Sequence, residues 1–548
     1  MVDLETGSVV AAREVPGAHP PARRSVIALT ERAVRADPRW QQALRVRGVE
    51  RLEDTEIHPW PPGTPDPEHP GRRIARALTY LKHAADDNVF AHPVEGLVVT
   101  IDLDTGEVLH VVDDGAVAIP ATSGRFTPDV VSEREDVRPI EITQPEGASF
   151  TLEGRRLRWL DFELTVGFTP REGIVLHDVR HSGRSILRRA ALSEMWVPYG
   201  DPGAIHAIKD VFDEGEVGLG VLANPLRLGC DCLGEIAYLD AVIADEDGGP
   251  VVIGNAVCVH EEDTGIAWKH TDDRTGDVEV RRGRRLVVSS FSTIGNYDYG
   301  FFWYLHADGS IAYEVKLTGV IATGAVAPGE RPAHGTLVAP GLHGPHHLHV
   351  FNVRLDVAVD GPRNTVVEVD AVPDPAGPGN PAGTAWRTRR TALSEDGGRL
   401  ADPATARTWL VVNESVHNAQ GDPVAFQLLP GPATPPLFAE GSVALRRAHF
   451  ATRSLWVTAH DPGERYAAGE HPWHTAGGDG LAVYAARGRQ TADADVVVWH
   501  TFAAHHVVRP EDWPVMPVAT TGFSLRPFGF FERNPALDLP RPHHHHVH

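Results

Sequence analysis

Cysteine and methionine are scarce, with three of each in 548 residues. So few thiols exclude a disulfide-dense scaffold, and Cys230-Asp231-Cys232 with a distant Cys258 is no zinc ribbon, which needs two Cys-x2-Cys pairs. One disulfide with a spare thiol, or three reduced thiols, both stay open. Long apolar runs are missing too. None approaches the roughly 20 residues of a membrane-spanning helix, so no part is expected to cross or bind a membrane. Met1 to Glu14 has no basic start followed by an apolar segment, so no secretory leader is visible and a cytoplasmic setting is expected. Positive charge is in deficit: 51 Lys and Arg against 74 Asp and Glu give a net charge of -23. Such a surface disfavours nucleic acid and anionic membranes and favours cationic ligands. No repeat of 20 to 50 residues stands out.

What is present is a globular composition, 42% hydrophobic, in a chain long enough for more than one domain. In residues 1–18, Gly7-Ser8-Val9-Val10 reads as a lone strand without a partner. Residues 19–120 read as a small α+β domain. Helical periodicity runs over Val26 to Ala36 and over Arg72 to His83, and strands over Gly96 to Leu103 and Val108 to Val112. From 128 to 540, short alternating strands broken by Gly, Pro and Asp turns predict a large antiparallel β-sandwich, so the fold class is mainly β. Residues 541–548 read as a disordered His-rich tail and are left out of the site argument.

Several residues carry chemistry. Thr293 to Gly300 sits between two apolar runs, Leu286 to Phe291 and Phe301 to Leu305, within or between buried strands, with tyrosines at 297 and 299. His347 and His349 are two apart, so an extended strand projects both to one face and His346 to the other. Phe351, Val353 and Leu355 continue that face, which places a metal on the histidines against an apolar interior. A third ligand must come from far along the chain, and His505 and His506 are both able. Asp210, Asp213 and Glu214 are neighbouring carboxylates, any of which could be a base.

The spelling Thr293-x-x-Asn296-Tyr297-Asp298-Tyr299 resembles the signature of the copper-containing amine oxidases, bacterial type, and the resemblance runs from about Val26 to Pro540. In that family the tyrosine after the asparagine is oxidised by its own Cu(II) and dioxygen to topaquinone. The resemblance implies a homodimeric enzyme that converts a small primary amine to aldehyde, ammonia and hydrogen peroxide. It implies topaquinone at Tyr297, copper on His347, His349 and His506, and Asp213, 84 residues before Tyr297, as the base that removes a proton beside a Schiff-base nitrogen. Tyr199 would hydrogen-bond the quinone, and Asn296 and Tyr299 would flank it. Leu228-Gly229-Cys230-Asp231-Cys232 also resembles the family and implies a Cys232–Cys258 disulfide. Asp356, Val357, Asp495 and Val496 resemble a second, peripheral metal site whose oxygen ligands suit calcium. Residues 1–18 resemble the last strand of a small domain that precedes this region. Val211 departs from the aromatic residue that gates the substrate channel in related bacterial enzymes, and Phe90 matches a channel-wall aromatic. Two other readings use the same residues: a non-catalytic dimeric metal-binding scaffold with unmodified Tyr297, and a zinc metalloenzyme.

Overall fold

The first domain begins with α1 (Arg24–Ala36), whose buried Val26, Thr30 and Val34 recur every four residues and form one stripe. Asp37 ends it and caps α2 (Pro38–Val46), its carboxylate accepting from Arg39 N at 2.8 Å with proline at the first helical position. Both helices cover a four-stranded antiparallel sheet in the order β1 (Thr55–Trp60), β2 (Ile74–Leu81), β3 (Pro93–Asp102), β4 (Val108–Asp113). The structure is a computed structural model, and it describes residues 3, 5–12, 14–433 and 436–541.

Two expectations fail in this region. The segment predicted as a helix over Arg72 to His83 is strand β2. Ala77 packs into the helix-facing cluster while Leu78 and Tyr80 pack into a second cluster with Ile205 and Ile208. With both faces buried, the alternation that marks a strand is erased. The strand expected near Gly7 to Val10 is reduced to a single bridge at Val9. A turn closed by Asp3 N donating to Ser8 O at 2.9 Å precedes it. Val9 and Val10 are exposed, so no apolar surface is gained by extending the pairing. His543 to His546 lie outside the described residues.

An irregular stretch leads to the sandwich, whose strands run from Phe150 to Phe528 in two ten-stranded antiparallel sheets. Six strands matter for the site: β5 (Arg184–Pro198), β6 (Asp210–Phe212), β7 (Val278–Ile294), β8 (Tyr297–His306), β9 (His347–Val357) and β10 (Val496–His506). In one sheet β9 lies between β5 and β10, with β6 paired to β5; in the other, β7 and β8 form a hairpin. The inner faces meet in one core where Phe351, Val353 and Phe502 oppose Tyr299, Trp303 and Phe523. Every residue of β9 is buried, because the outer face of its sheet is covered as well: Leu348 and Val350 pack with Trp196, Phe450 and Tyr484. The sandwich is therefore thick and dry where β9 passes through it.

Candidate active site

The His347-x-His349 spacing on β9 turns both rings to the inner face, and the β9–β10 register sets His506 directly opposite His347. His505, opposite Leu348, is exposed on the other side. Ring nitrogens of His347, His349 and His506 lie within 4.8 Å of one another. Hydrogen bonds fix the tautomers of His347 and His506. His347 Nδ1 donates to Pro345 O at 2.8 Å, leaving the lone pair on Nε2. His506 Nε2 meets the Asp512 carboxylate at 3.0 Å, leaving the lone pair on Nδ1. These two bare nitrogens stand 3.1 Å apart. His349 Nδ1 meets Tyr299 Oη at 2.9 Å, and its Nε2 is buried without a partner.

Lone pairs that converge in a dry interior repel one another, and a buried unpartnered nitrogen is costly. A cation removes both penalties. Metal–imidazole bonds of about 2.0–2.1 Å place neighbouring ligand nitrogens roughly 3 Å apart, which the His347–His506 pair already matches. Burial first, then the neighbouring imidazoles, hold His347 and His349 well below the ordinary histidine range, so both rings are neutral donors. Burial also lowers His506, against the opposing pull of Asp512.

Tyr297 opens β8 just after the turn at Gly295, whose φ of +61° is a conformation that glycine adopts without strain. Its hydroxyl donates to His347 Nε2 at 2.9 Å, so the phenol sits against the convergence point of the imidazoles. Tyr199, just beyond β5, stacks on the His347 ring with centroids 4.6 Å apart, and its hydroxyl pairs with Tyr297 and Asn296. The Asn296 amide donates to Val320 O at 2.7 Å. Burial raises the Tyr297 phenol well above its ordinary range, so it is protonated while the imidazoles are bare.

Asp213 begins a single π-helical turn, Asp213–Val217, directly after β6. It is buried and lines a cavity of about 960 Å³ with Tyr199, Tyr297, Asn296, Val211 and Phe90. Burial, then the neighbouring Glu194 and Glu216, push its carboxyl well above the usual range. The turn is pinned by groups that sequence reasoning missed. Glu216 accepts from Phe212 N at 2.9 Å and from Arg447 Nη2 at 2.6 Å, and Arg447 also donates to Asp210 O at 2.8 Å. The arginine lies 231 residues beyond Glu216, so no local pattern marks the pair. Asp512 was missed as well, although an acid six residues past a histidine across an Arg-Pro turn was a usable signal.

Two further pairs of implied residues are brought together. Cys232 and Cys258 are both buried, share a cluster with Leu226 and stand in side-chain contact with each other as thiols in this structure. Cys232 Sγ also lies 3.5 Å from Tyr238 Oη, and Cys258 Sγ lies 3.2 Å from His260 Nδ1. At the implied peripheral site, Asp356 and Asp495 are bridged by the guanidinium of Arg188, and His460 Nε2 stands 3.3 Å from Asp356 Oδ2.

Fold and site together define a β-sandwich metalloprotein with three neutral imidazoles converging beside a buried phenol and an acid-lined cavity. The sequence pattern described as "Copper amine oxidase, enzyme domain" matches residues 151–546, and "Copper amine oxidase, N3 domain" matches residues 26–125. A histamine oxidase of Arthrobacter globiformis is 45% identical over 98% of this chain and 80% of its own length. A primary amine oxidase of Arthrobacter sp. (strain P1) is 44% identical over 98% of this chain and 84% of its own. The solved structure of a copper-containing benzylamine oxidase from Hansenula polymorpha superposes with a TM-score of 0.92 at 32% identity, over 98% of this chain and 87% of that one. The chain belongs to the copper amine oxidase family. It is a copper-containing primary-amine oxidase of the bacterial type.

Proposed function

We propose that His347, His349 and His506 hold Cu(II), that Tyr297 is the precursor of topaquinone, and that the enzyme converts primary amines and dioxygen to aldehyde, ammonia and hydrogen peroxide. The observation that carries this is the bare, buried Nε2 of His349 beside the facing lone pairs of His347 and His506, with the Tyr297 hydroxyl bonded to one of them. Copper with dioxygen supplies the oxidation of the tyrosine ring, and the resulting quinone supplies the electrophile and electron sink for amine oxidation.

The chain's own residues do the rest. Asp213, in a buried wall of the cavity, accepts the proton from the substrate's α-carbon, and burial, which raises its carboxyl above the usual range, makes it a stronger base than an exposed aspartate. Tyr199, whose hydroxyl pairs with both Tyr297 and Asn296, restrains the ring at position 297. Asp512 and Pro345 O orient two of the ligand imidazoles. Carboxylates of Glu31, Glu56, Asp245 and Glu246 also line the cavity and draw in an ammonium group, while Trp60, Phe90 and Val211 supply apolar wall for its tail. Primary amines with an apolar or aromatic tail are the substrate class this wall suits. A homodimer suits the long hairpin that strand Pro250–Thr271 makes with β7 and the outlying Trp386–Leu393 strand, which expose Ile266, Val278 and Trp386.

Copper added to the metal-free protein under air, followed by phenylhydrazine, tests the reading. A coloured adduct at position 297 is the expected result. Bound copper without colour would leave the metal-binding scaffold, and retention of zinc in preference to copper with Tyr297 unmodified would leave the zinc enzyme.

A further inference from the structure

A second convergence of metal-binding side chains lies on the far side of Tyr199. Asp201 follows β5, His206 lies in the short helix Ala204–Ala207, and His343 lies in the strand Leu342–Pro345. One ligand atom from each falls within 4.8 Å of the others. Both histidines are more than nine-tenths buried, and each leaves a nitrogen without a partner: His206 Nε2 and His343 Nδ1. The other contacts are accounted for. His206 Nδ1 meets Lys209 Nζ at 3.0 Å, His343 Nε2 meets Asp201 Oδ2 at 3.3 Å, and Asp201 Oδ1 accepts from Gly203 N at 2.8 Å.

Gly324 marks where these groups point. A Cβ there would stand 2.6 Å from His206 Nε2, 2.6 Å from the His343 ring and 2.9 Å from Glu95 Oε2. The missing side chain keeps open a small space bordered by two imidazoles and a carboxylate. Glu95 comes from β3 of the first domain and already accepts from Ala325 N at 2.9 Å. Three separate stretches of chain therefore bring two imidazoles and two carboxylates together.

We propose that Asp201, His206 and His343, with Glu95 as the fourth side chain, form a second metal site distinct from the three-histidine centre. Two imidazoles with carboxylate oxygens suit a borderline divalent ion, zinc above all, at four-coordinate geometry. Calcium, which takes six to eight oxygens, is a poor match. Bound there, the ion fastens the first domain to the sandwich through Glu95. It also stands one ring from the active site, because Tyr199 lies between His206, at 6.4 Å and 12° between ring planes, and His347, at 4.6 Å and 15°.

The test uses the full chain saturated with copper, then given zinc and passed over a sizing column, with both metals counted. The wild type retains about one more zinc per chain than His206→Gln or His343→Gln, with its copper unchanged, and gains more melting temperature from zinc than either variant. Zinc bound elsewhere, for example at Asp66, His69 and His110, is common to all three proteins and cancels. Equal zinc in wild type and variants, or zinc taken up only as copper is lost, would overturn the proposal. If those variants fold poorly, zinc-edge X-ray absorption on the His69→Gln, His110→Gln double variant loaded with one zinc, which removes the other two-imidazole group, decides the matter. Two imidazoles with oxygen ligands are expected, and an all-oxygen or sulfur-containing shell refutes it.

Discussion

The paired strands β9 and β10 carry ligand-type residues at both ends, yet the two ends are satisfied differently. At one end His347, His349 and His506 face one another, with the buried Nε2 of His349 unpartnered and no guanidinium bridging the rings. At the other, Asp356 and Asp495 face the guanidinium of Arg188, which bonds both. Same strands, same sheet, opposite outcomes. Ligand-type residues at suitable spacing are thus a weak criterion, because hydrogen bonding and ion pairing satisfy them equally well. A buried donor left unpartnered is the stronger one, since its desolvation has no other compensation.

The sharpest way to break this comparison is to remove one residue from each end. His349→Ala is expected to abolish both stoichiometric copper retention and formation of the phenylhydrazine-reactive quinone, whereas Asp356→Asn keeps both; copper counting and visible spectra decide. Next in size is the base. Asp213→Asn is expected to form the quinone normally yet lower kcat by about 10²- to 10⁴-fold, and normal turnover by this variant would remove Asp213 from its role. A smaller effect belongs to the orienting acid. Asp512→Asn should weaken copper binding by about 10- to 100-fold, while His505→Ala leaves it unchanged; the reverse pattern in a copper titration would move the third ligand by one residue.

At the guanidinium end, Arg188→Gln is expected to cost about 1 kcal/mol. The loss should be recovered in calcium, to which the wild-type melting temperature does not respond. The smallest effect is the pH dependence of stability. Burial raises Glu194 to about 7 in the folded protein. A carboxyl raised on folding contributes stability that is fully present below its unfolded value and is lost as pH rises through about 7. Glu194→Gln removes that contribution, so its melting temperature should fall less than the wild type's between pH 5 and pH 8, by roughly 1–2 °C. Parallel falls in both proteins would contradict the assignment.

Much of the site could be read before any fold was known. The two-residue step between His347 and His349 needs only the geometry of a strand, and the tyrosine motif announces itself between two apolar runs. The choice of His506 over His505 was not local, because both imidazoles are adjacent and chemically alike; it is made by the register that sets His506 opposite His347. Strand β2 was mistaken for a helix because a sheet covered on both faces has no polar side to mark its alternation. The pinning of the Asp213 turn by Arg447 has no sequence signal at all.

By itself, then, the sequence determined which side chains share a strand face, that the chain is acidic and mainly β, and that a tyrosine and three histidines belong to one chemistry. The first two follow from backbone periodicity and composition, which are local properties, and the last is what the motif's resemblance to the copper amine oxidases implies. Only the tertiary structure decided which polar groups find partners. Whether a carboxylate meets a guanidinium, a thiol meets a hydroxyl, or an imidazole is left bare depends on residues hundreds of positions apart arriving at the same few ångströms of dry interior.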